Sequence, residues 1–202
     1  MTALYAIIDP AACVHHAPLL VAEGALRGGA KILQLRAKSL SDRDRLDLAK
    51  RLSVLTKAHA ASFVMNDRVD LALLADADEV HLGQGDLSIA EARQLAPKLR
   101  IGRSTHDFVQ LRQAADEGAD RLAFGPLFDT QSKANPEKTV GLEAFFQAQA
   151  ELGKPLIAIG GIDVDRARGL AHRGLAAVAV ISAICGAREP ESAARSLVEA
   201  LV

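Results

Sequence analysis

The 202-residue chain has no tryptophan, a single tyrosine and six phenylalanines. So few aromatics argue against base-stacking platforms and aromatic sugar-binding walls, and the core must be built from Ala, Val, Ile and Leu. Two cysteines, Cys13 and Cys185, are too few for a disulfide scaffold and point to a reducing, cytoplasmic setting. Charge of one sign is missing as well: 24 Lys and Arg face 25 Asp and Glu, a formal net charge of −1. There is thus no bulk electrostatic pull toward nucleic acid or an anionic membrane. The longest apolar stretch, 175–185, is too short to span a bilayer and contains Ser182. Residues 1–10 carry no basic segment and meet Asp9 early, so no signal peptide is expected.

What is present is a recurring unit. Short runs rich in Ile, Val, Leu and Ala fall at 3–8, 32–36, 63–66, 80–83, 100–104, 121–125, 156–160 and 177–182. Such continuous apolar runs suit strands covered on both faces. Helical patterns lie between them. Ser41 with Asp44, and Ser88 with Glu91, have the spacing of capping boxes; Leu48, Leu52 and Leu55 then mark an apolar face. Asp107 and Asp163 are candidate N-caps, Pro190 suits a first turn, and Gly28, Gly29, Gly118 and Gly174 are candidate stops. Eight strands alternating with helices predict an α/β protein, a single-domain (β/α)8 TIM barrel over residues 1–202. An open sheet with a strand or two miscounted is the structural alternative.

In that architecture chemistry belongs at the C-terminal ends of the strands. The tips carry Asp9, Gln34, Arg36 and Lys38, Asn66 and Asp67, Gly83, Gln84 and Asp86, Ser104 and His106, Gly125, Pro126 and Thr130, Gly160 and Gly161, and Ser182. One such tip would mean little, because polar residues often cap helices; nearly all of them read as one site. By period-2 alternation Gln34 and Arg36 share a side of the second strand. If Ile32 faces inward, both point into the barrel mouth, and Arg36 then needs an anion. A ligand phosphate would serve, as would an internal acid. Asp67 and Asp86 end adjacent strands, and two carboxylates with few other ligands suit Mg²⁺, which keeps waters and binds substrate phosphates. The bland reading of Asp67 is a helix cap. Gly160 and Gly161, with Ser182 near a helix start, look suited to a phosphate, although the glycines also suit a plain tight turn. The 127–140 connection, with Thr130, Ser132, Lys133 and Lys138, is a candidate lid and a second anion site; a solvated loop is the alternative. His15, His16, His59 and His172 are expected to be structural or surface groups. Cys13, His15 and His16 are a weak metal signal. His81 and His106 sit near the site in supporting positions, with no Ser–Asp arrangement beside them that would suggest nucleophilic catalysis.

Seven strings together carry a resemblance: Gln34-Leu35-Arg36-Ala37-Lys38, Asn66-Asp67, His81-Leu82-Gly83-Gln84-Gly85-Asp86, Gly102-Arg103-Ser104-Thr105-His106, Gly125 through Lys133, Ala158-Ile159-Gly160-Gly161-Ile162 and Val180-Ile181-Ser182-Ala183-Ile184. In this order, over almost the whole chain, they resemble the thiamine phosphate synthases. The resemblance implies a Mg²⁺-dependent transferase that joins hydroxymethylpyrimidine pyrophosphate to a thiazole phosphate and releases pyrophosphate. It implies that Asp67 and Asp86 hold the metal. Arg36, Lys38, Asn66 and Lys133 would meet the pyrophosphate, while Gln34 and Ser104 contact the pyrimidine. Thr130, Ser132, Gly161, Ile181 and Ser182 would hold the thiazole phosphate. Ser132 stands where the family usually has Thr, with the hydroxyl kept.

Two other readings belong to the same superfamily pattern: a metal-independent thiazole phosphate tautomerase, and a non-catalytic barrel that binds a thiazole or thiamine phosphate. Asp67, Gln84 and Asp86, and Pro126 after Gly125, separate the chain from the tautomerases; Arg103 is a feature shared with that branch. The expected partners are small phosphorylated molecules, and the sequence leaves the oligomeric state open.

Overall fold

The computed structural model describes residues 2–129 and 138–202. β1 (Ala3–Ile8) leads through a 3-10 turn (Pro10–Ala12) to α1 (Pro18–Arg27). There follow β2 (Ile32–Leu35), α2 (Asp42–Ala58), β3 (Ser62–Asn66), α3 (Val69–Leu74), β4 (Glu79–Leu82), α4 (Ile89–Leu95), β5 (Arg100–Thr105) and α5 (Phe108–Asp116). β6 (Arg121–Phe124), α6 (Leu142–Leu152), β7 (Ile157–Ile159), α7 (Val164–Arg168), β8 (Ala177–Val180), α8 (Ser182–Cys185) and α9 (Pro190–Ala200) complete the order. Every strand pairs in parallel with its neighbour in sequence, and β8 returns to β1, so the sheet is a closed barrel. This is the (β/α)8 fold expected from the alternating pattern, and the open sheet is excluded. Among the described residues no helix is long and apolar enough to cross a membrane.

The helix starts follow the local chemistry. Ser41 accepts from the Asp44 amide and Ser88 forms a complete capping box with Glu91. Asp107 and Asp163 accept from the amides of Gln110 and Arg166. Each cap satisfies an amide that the first helical turn leaves without a carbonyl.

Two apolar regions result from the closure. The larger lies between sheet and helices and takes the outward residues of the strands, such as Leu33, Leu35, Phe63, Met65, Val80, Leu82 and Ile101. The smaller fills the barrel interior with Tyr5, Ile32, Val64, Ala123, Ile157, Ala177 and Ala179. Ile32 is therefore inward, and Gln34 follows it on the same side. The interior is small because four of these inward residues are Ala or Val; the barrel's upper half remains open as a cavity.

The ring of helices closes where the two ends of the chain meet, with α1 packed on α9. Gly28 at the end of α1 is in the ordinary helical region at φ −72°, so its role is steric. A Cβ there would lie 2.5 Å from Ala194 Cβ and 2.6 Å from the Glu191 carbonyl oxygen. Gly28→Ala should therefore destabilise the barrel by about 1–3 kcal/mol, as overpacking does. Urea unfolding would show a lowered midpoint at unchanged slope, whereas an unchanged midpoint would mean that the α1–α9 contact is not tight.

Candidate functional site

A cavity of about 510 Å³ opens at the C-terminal end of the strands. Ten of the thirteen residues to which the resemblance gives a role line it: Gln34, Arg36, Lys38, Asn66, Asp67, Asp86, Ser104, Gly161, Ile181 and Ser182. Thr130, Ser132 and Lys133 lie outside the described residues. The cavity is large enough for a drug-sized ligand. Its walls are charged on the β2–β4 side and mostly backbone and aliphatic on the β7–β8 side.

The charged wall is built from two adjacent strand ends. The β3–β4 register pairs Asn66 with His81, which brings the segment after β3 beside the one after β4. Asp67 takes a left-handed backbone, φ 64°, a conformation that Asp tolerates better than most residues. Its amide donates to the His81 carbonyl at 2.9 Å. Asp86 turns back so that its Oδ2 accepts from the Gly83 amide at 2.7 Å. The two carboxyl groups then meet. Burial pushes the Asp86 carboxyl up, and the hydrogen bond it shares with Asp67 pushes it further. Lys38 Nζ stands 3.0 Å from Asp67 Oδ2 and supplies part of the balancing charge.

Two carboxylates this close need a proton or a cation between them. Among the described residues no group of three or more His, Cys, Asp and Glu comes together, so Cys13, His15 and His16 do not form a metal cluster. A site with two carboxylates and neighbouring amides from Asn66 and Gln84 is poor in protein ligands. That donor set fits Mg²⁺, which keeps waters and takes substrate oxygens, and fits Zn²⁺ badly.

Arg36 has an internal partner. It lies one residue beyond β2, and its amide continues the ladder to the Ile8 carbonyl at 2.9 Å. Its Nη1 donates to Asp9 Oδ2 in a short ion pair, and Asp9 also accepts from the Ala11 amide at 3.0 Å. Of the two anions weighed for Arg36, the internal acid is thus the one that the chain itself provides. Because the guanidinium still lines the cavity, Asp9 acts as a tether that aims it at the mouth and offsets its charge while no ligand is bound.

The opposite wall depends on Gly160 and Gly161, at φ 93° and 66°. A Cβ on Gly160 would run into Pro126, and one on Gly161 would come 2.5 Å from the Asp129 carbonyl. Close approach and a left-handed backbone both require glycine here. Arg166 of α7 donates to the Gly161 carbonyl at 2.5 Å and lies over the Phe128 ring at 4.6 Å. Ser182 opens α8, which is a single turn. A helix so short has little macrodipole, so any anion there would be held by its first amides and the Ser182 hydroxyl.

The sequence reading undervalued a buried polar layer beneath this mouth. Gln34 Nε2 donates to the Tyr5 hydroxyl at 2.7 Å. His81 Nε2 lies 2.9 Å from Ser104 Oγ, and Gln84 Nε2 donates to the Ser104 carbonyl at 2.6 Å. His106 Nδ1 lies 2.6 Å from the Gly125 carbonyl; that oxygen can only accept, so Nδ1 carries the proton. Tyr5, His81 and His106 all line the cavity. Glu79, two residues before His81 and so on the same inward side, is fully buried. Arg121 Nε stands 3.0 Å from its Oε2, yet among the described residues neither Glu79 oxygen finds a donor in good hydrogen-bonding geometry. Gly102 makes room for this layer, because a Cβ there would be 2.5 Å from His81 Nδ1 and 2.8 Å from Glu79 Oε1. Period-2 alternation along β1 and β4 was the available signal for Tyr5 and Glu79. Arg103, on the other side of β5, donates to the Leu87 carbonyl at 3.0 Å and does not line the cavity.

Burial lifts the Glu79 carboxyl to about 7, against the pull of Arg121 and Arg100. A carboxyl that binds its proton more tightly when folded favours the folded state at low pH. That contribution is complete below the unfolded value near 4.5 and is lost as pH rises through about 7. The loss is on the order of 3 kcal/mol. Glu79→Gln should remove it. The fall in thermal midpoint between pH 5 and pH 8 should be smaller in the variant than in the parent; parallel curves would mean that Glu79 titrates normally.

Comparison with known proteins agrees with this geometry. The family model for thiamine monophosphate synthase matches residues 4–184. A thiamine-phosphate synthase from Chlorobium luteolum is 49% identical over 181 residues, which cover 89% of this chain and 85% of that protein. One from Synechococcus sp. strain CC9311 is 43% identical over 180 residues, 89% of this chain but 51% of the longer relative. Among solved structures, thiamine phosphate pyrophosphorylase from Pyrococcus furiosus superposes with a TM-score of 0.90 at 35% identity, covering 98% of this chain and 95% of that one. The chain belongs to the thiamine monophosphate synthase family.

Proposed function

We propose that this protein is a thiamine-phosphate synthase, a transferase that joins hydroxymethylpyrimidine pyrophosphate to a thiazole phosphate with Mg²⁺ in its site. The observation that carries the reading is the meeting of Asp67 and Asp86 beside Lys38, at the mouth of a cavity whose far wall is glycine backbone and Ser182. In this reading Asp67 and Asp86 would hold the ion, which would supply positive charge to offset that of the pyrophosphate leaving group. Lys38 and the tethered Arg36 face the same leaving group, joined by Asn66 and by Lys133 from the 127–140 segment. Gln34, whose side chain is held by Tyr5, and Ser104, whose hydroxyl is held by His81 and whose carbonyl by Gln84, would contact the pyrimidine. The backbone of Gly161 and Ile181, with the hydroxyls of Ser182, Thr130 and Ser132, receives the thiazole phosphate.

The resemblance to the family implies a dissociative substitution, and the arrangement suits it. The bond from the pyrimidine methylene carbon to the pyrophosphate oxygen breaks first, and the electron pair leaves with the pyrophosphate. The thiazole nitrogen then donates its lone pair to the methylene cation, forming the new C–N bond. Fixed positive groups stabilise the departing charge, and the cavity holds the two rings close and away from water. No protein nucleophile is needed for this substitution.

The tautomerase reading has less support. It does not need the carboxylate pair, and Arg103, the feature shared with that branch, is turned away from the cavity. A non-catalytic binder would need neither the acidic pair nor two anion-holding walls.

Asp67→Asn is the informative substitution, because Asn keeps the tolerance for a left-handed backbone and removes the charge. Thiamine phosphate can be read as fluorescent thiochrome after oxidation. With both substrates and saturating Mg²⁺, the variant should turn over about 10²-fold or more slowly. Equal activity would overturn the metal assignment. No product from the parent protein would overturn the function, and turnover of a thiazole phosphate without Mg²⁺ would favour the tautomerase.

A further inference from the structure

The chain's two cysteines are 172 positions apart and neither has a part in the chemistry above, yet the fold brings them together. Cys13 ends the 3-10 turn that follows β1, and Cys185 ends α8. These two elements touch. Cys185 is buried and its thiol donates to the Ile7 carbonyl at 3.3 Å. Cys13 is half-buried, and both sulfurs are free of disulfide. The two thiols lie close enough to perturb each other, and the pair is asymmetric. Their interaction holds Cys13 below the usual thiol range, while the same interaction and burial push Cys185 well above it.

We propose that Cys13 and Cys185 form a redox-active dithiol site, in which Cys13 is the attacking thiolate and Cys185 the resolving thiol, with a hydroperoxide as the oxidant. The division of labour follows from access and from acidity. The thiolate is the reactive form, and the accessible, more acidic thiol reacts first. Cys13 sulfur attacks one peroxide oxygen, the O–O bond breaks, and hydroxide (or the alkoxide of an organic peroxide) leaves; Cys13 becomes a sulfenic acid. Cys185 sulfur then attacks Cys13 sulfur. The S–S bond forms, the sulfenic hydroxyl departs, and it takes the Cys185 proton to leave as water. In total, two thiols are oxidised by two electrons and the peroxide is reduced by two. A thiol reductant reverses the change.

The cysteines do not line the cavity, but they sit on elements that also carry groups of the site. Asp9, which caps the turn that Cys13 ends, is the partner of Arg36; Ser182 begins the one-turn helix that Cys185 ends.

The test treats the whole chain with a small excess of hydrogen peroxide, quenches in acid, and reads intact mass, peptide mass and free thiols. The expected result is a monomer lighter by two hydrogens, with no free thiol, a Cys13–Cys185 linked peptide, and full recovery of both thiols with dithiothreitol. Cys185→Ser should halt at a Cys13 sulfenic acid, captured by a dimedone-type probe. Cys13→Ser should keep its Cys185 thiol. A parent chain that retains both thiols, over-oxidises at Cys13 with Cys185 still free, or cross-links only between chains would overturn the proposal. So would oxidation of Cys185 in the Cys13→Ser variant at the parent's rate.

Discussion

A closed parallel barrel gives every second strand residue a place in an interior that it shares with seven other strands. Water is largely excluded from that space, so any polar group sent inward must find a partner there or be met by a ligand. Much of this protein follows from that constraint. Small aliphatic residues fill much of the interior. Glu79 pairs with Arg121 at the starts of β4 and β6, and Tyr5 with Gln34 and His81 with Ser104 pair where the cavity begins. At the mouth are Arg36 with Asp9 and Lys38 with Asp67. The pair at the strand starts is an internal contact, while those at the strand ends face the cavity.

The mouth is arranged so that its charges nearly cancel before anything binds. Arg36 is balanced by Asp9, and Lys38 by Asp67. The remaining tension is between Asp67 and Asp86, which burial and proximity set against each other. A divalent cation would relieve it, and a phosphorylated ligand would supply the oxygens that two carboxylates cannot. The near-zero net charge of the whole chain thus coexists with a concentrated local field. Such preorganised groups favour a departing anion without reorganising during the reaction.

The strands and caps were readable in the sequence because their causes are local. Apolar runs mark each strand to within a residue or two, and Ser41, Ser88, Asp107 and Asp163 cap the helices their spacing suggests. Period-2 alternation also gave the inward direction of Gln34 once Ile32 was taken as interior. What the sequence left open was pairing across the barrel. Arg36 and Asp9 are 27 residues apart, and nothing in either local string selects an internal acid over a ligand phosphate. Glu79 was passed over because a charged residue at the start of an apolar run looks like a solvent-facing end; the β3–β4 register turns it inward opposite Val64. Cys13 and Cys185 meet only because β8 returns to β1.

In the proposed function the two carboxylates and the basic groups form one composite site, in which ion and pyrophosphate complete each other. Calorimetric titration of pyrophosphate into the protein, with and without Mg²⁺, tests it most directly. Binding should be tight with Mg²⁺ present and weak without it, and an Asp67→Asn, Asp86→Asn double variant should lose the Mg²⁺ effect. Binding of equal strength with and without Mg²⁺, or an undiminished Mg²⁺ effect in that double variant, would contradict it.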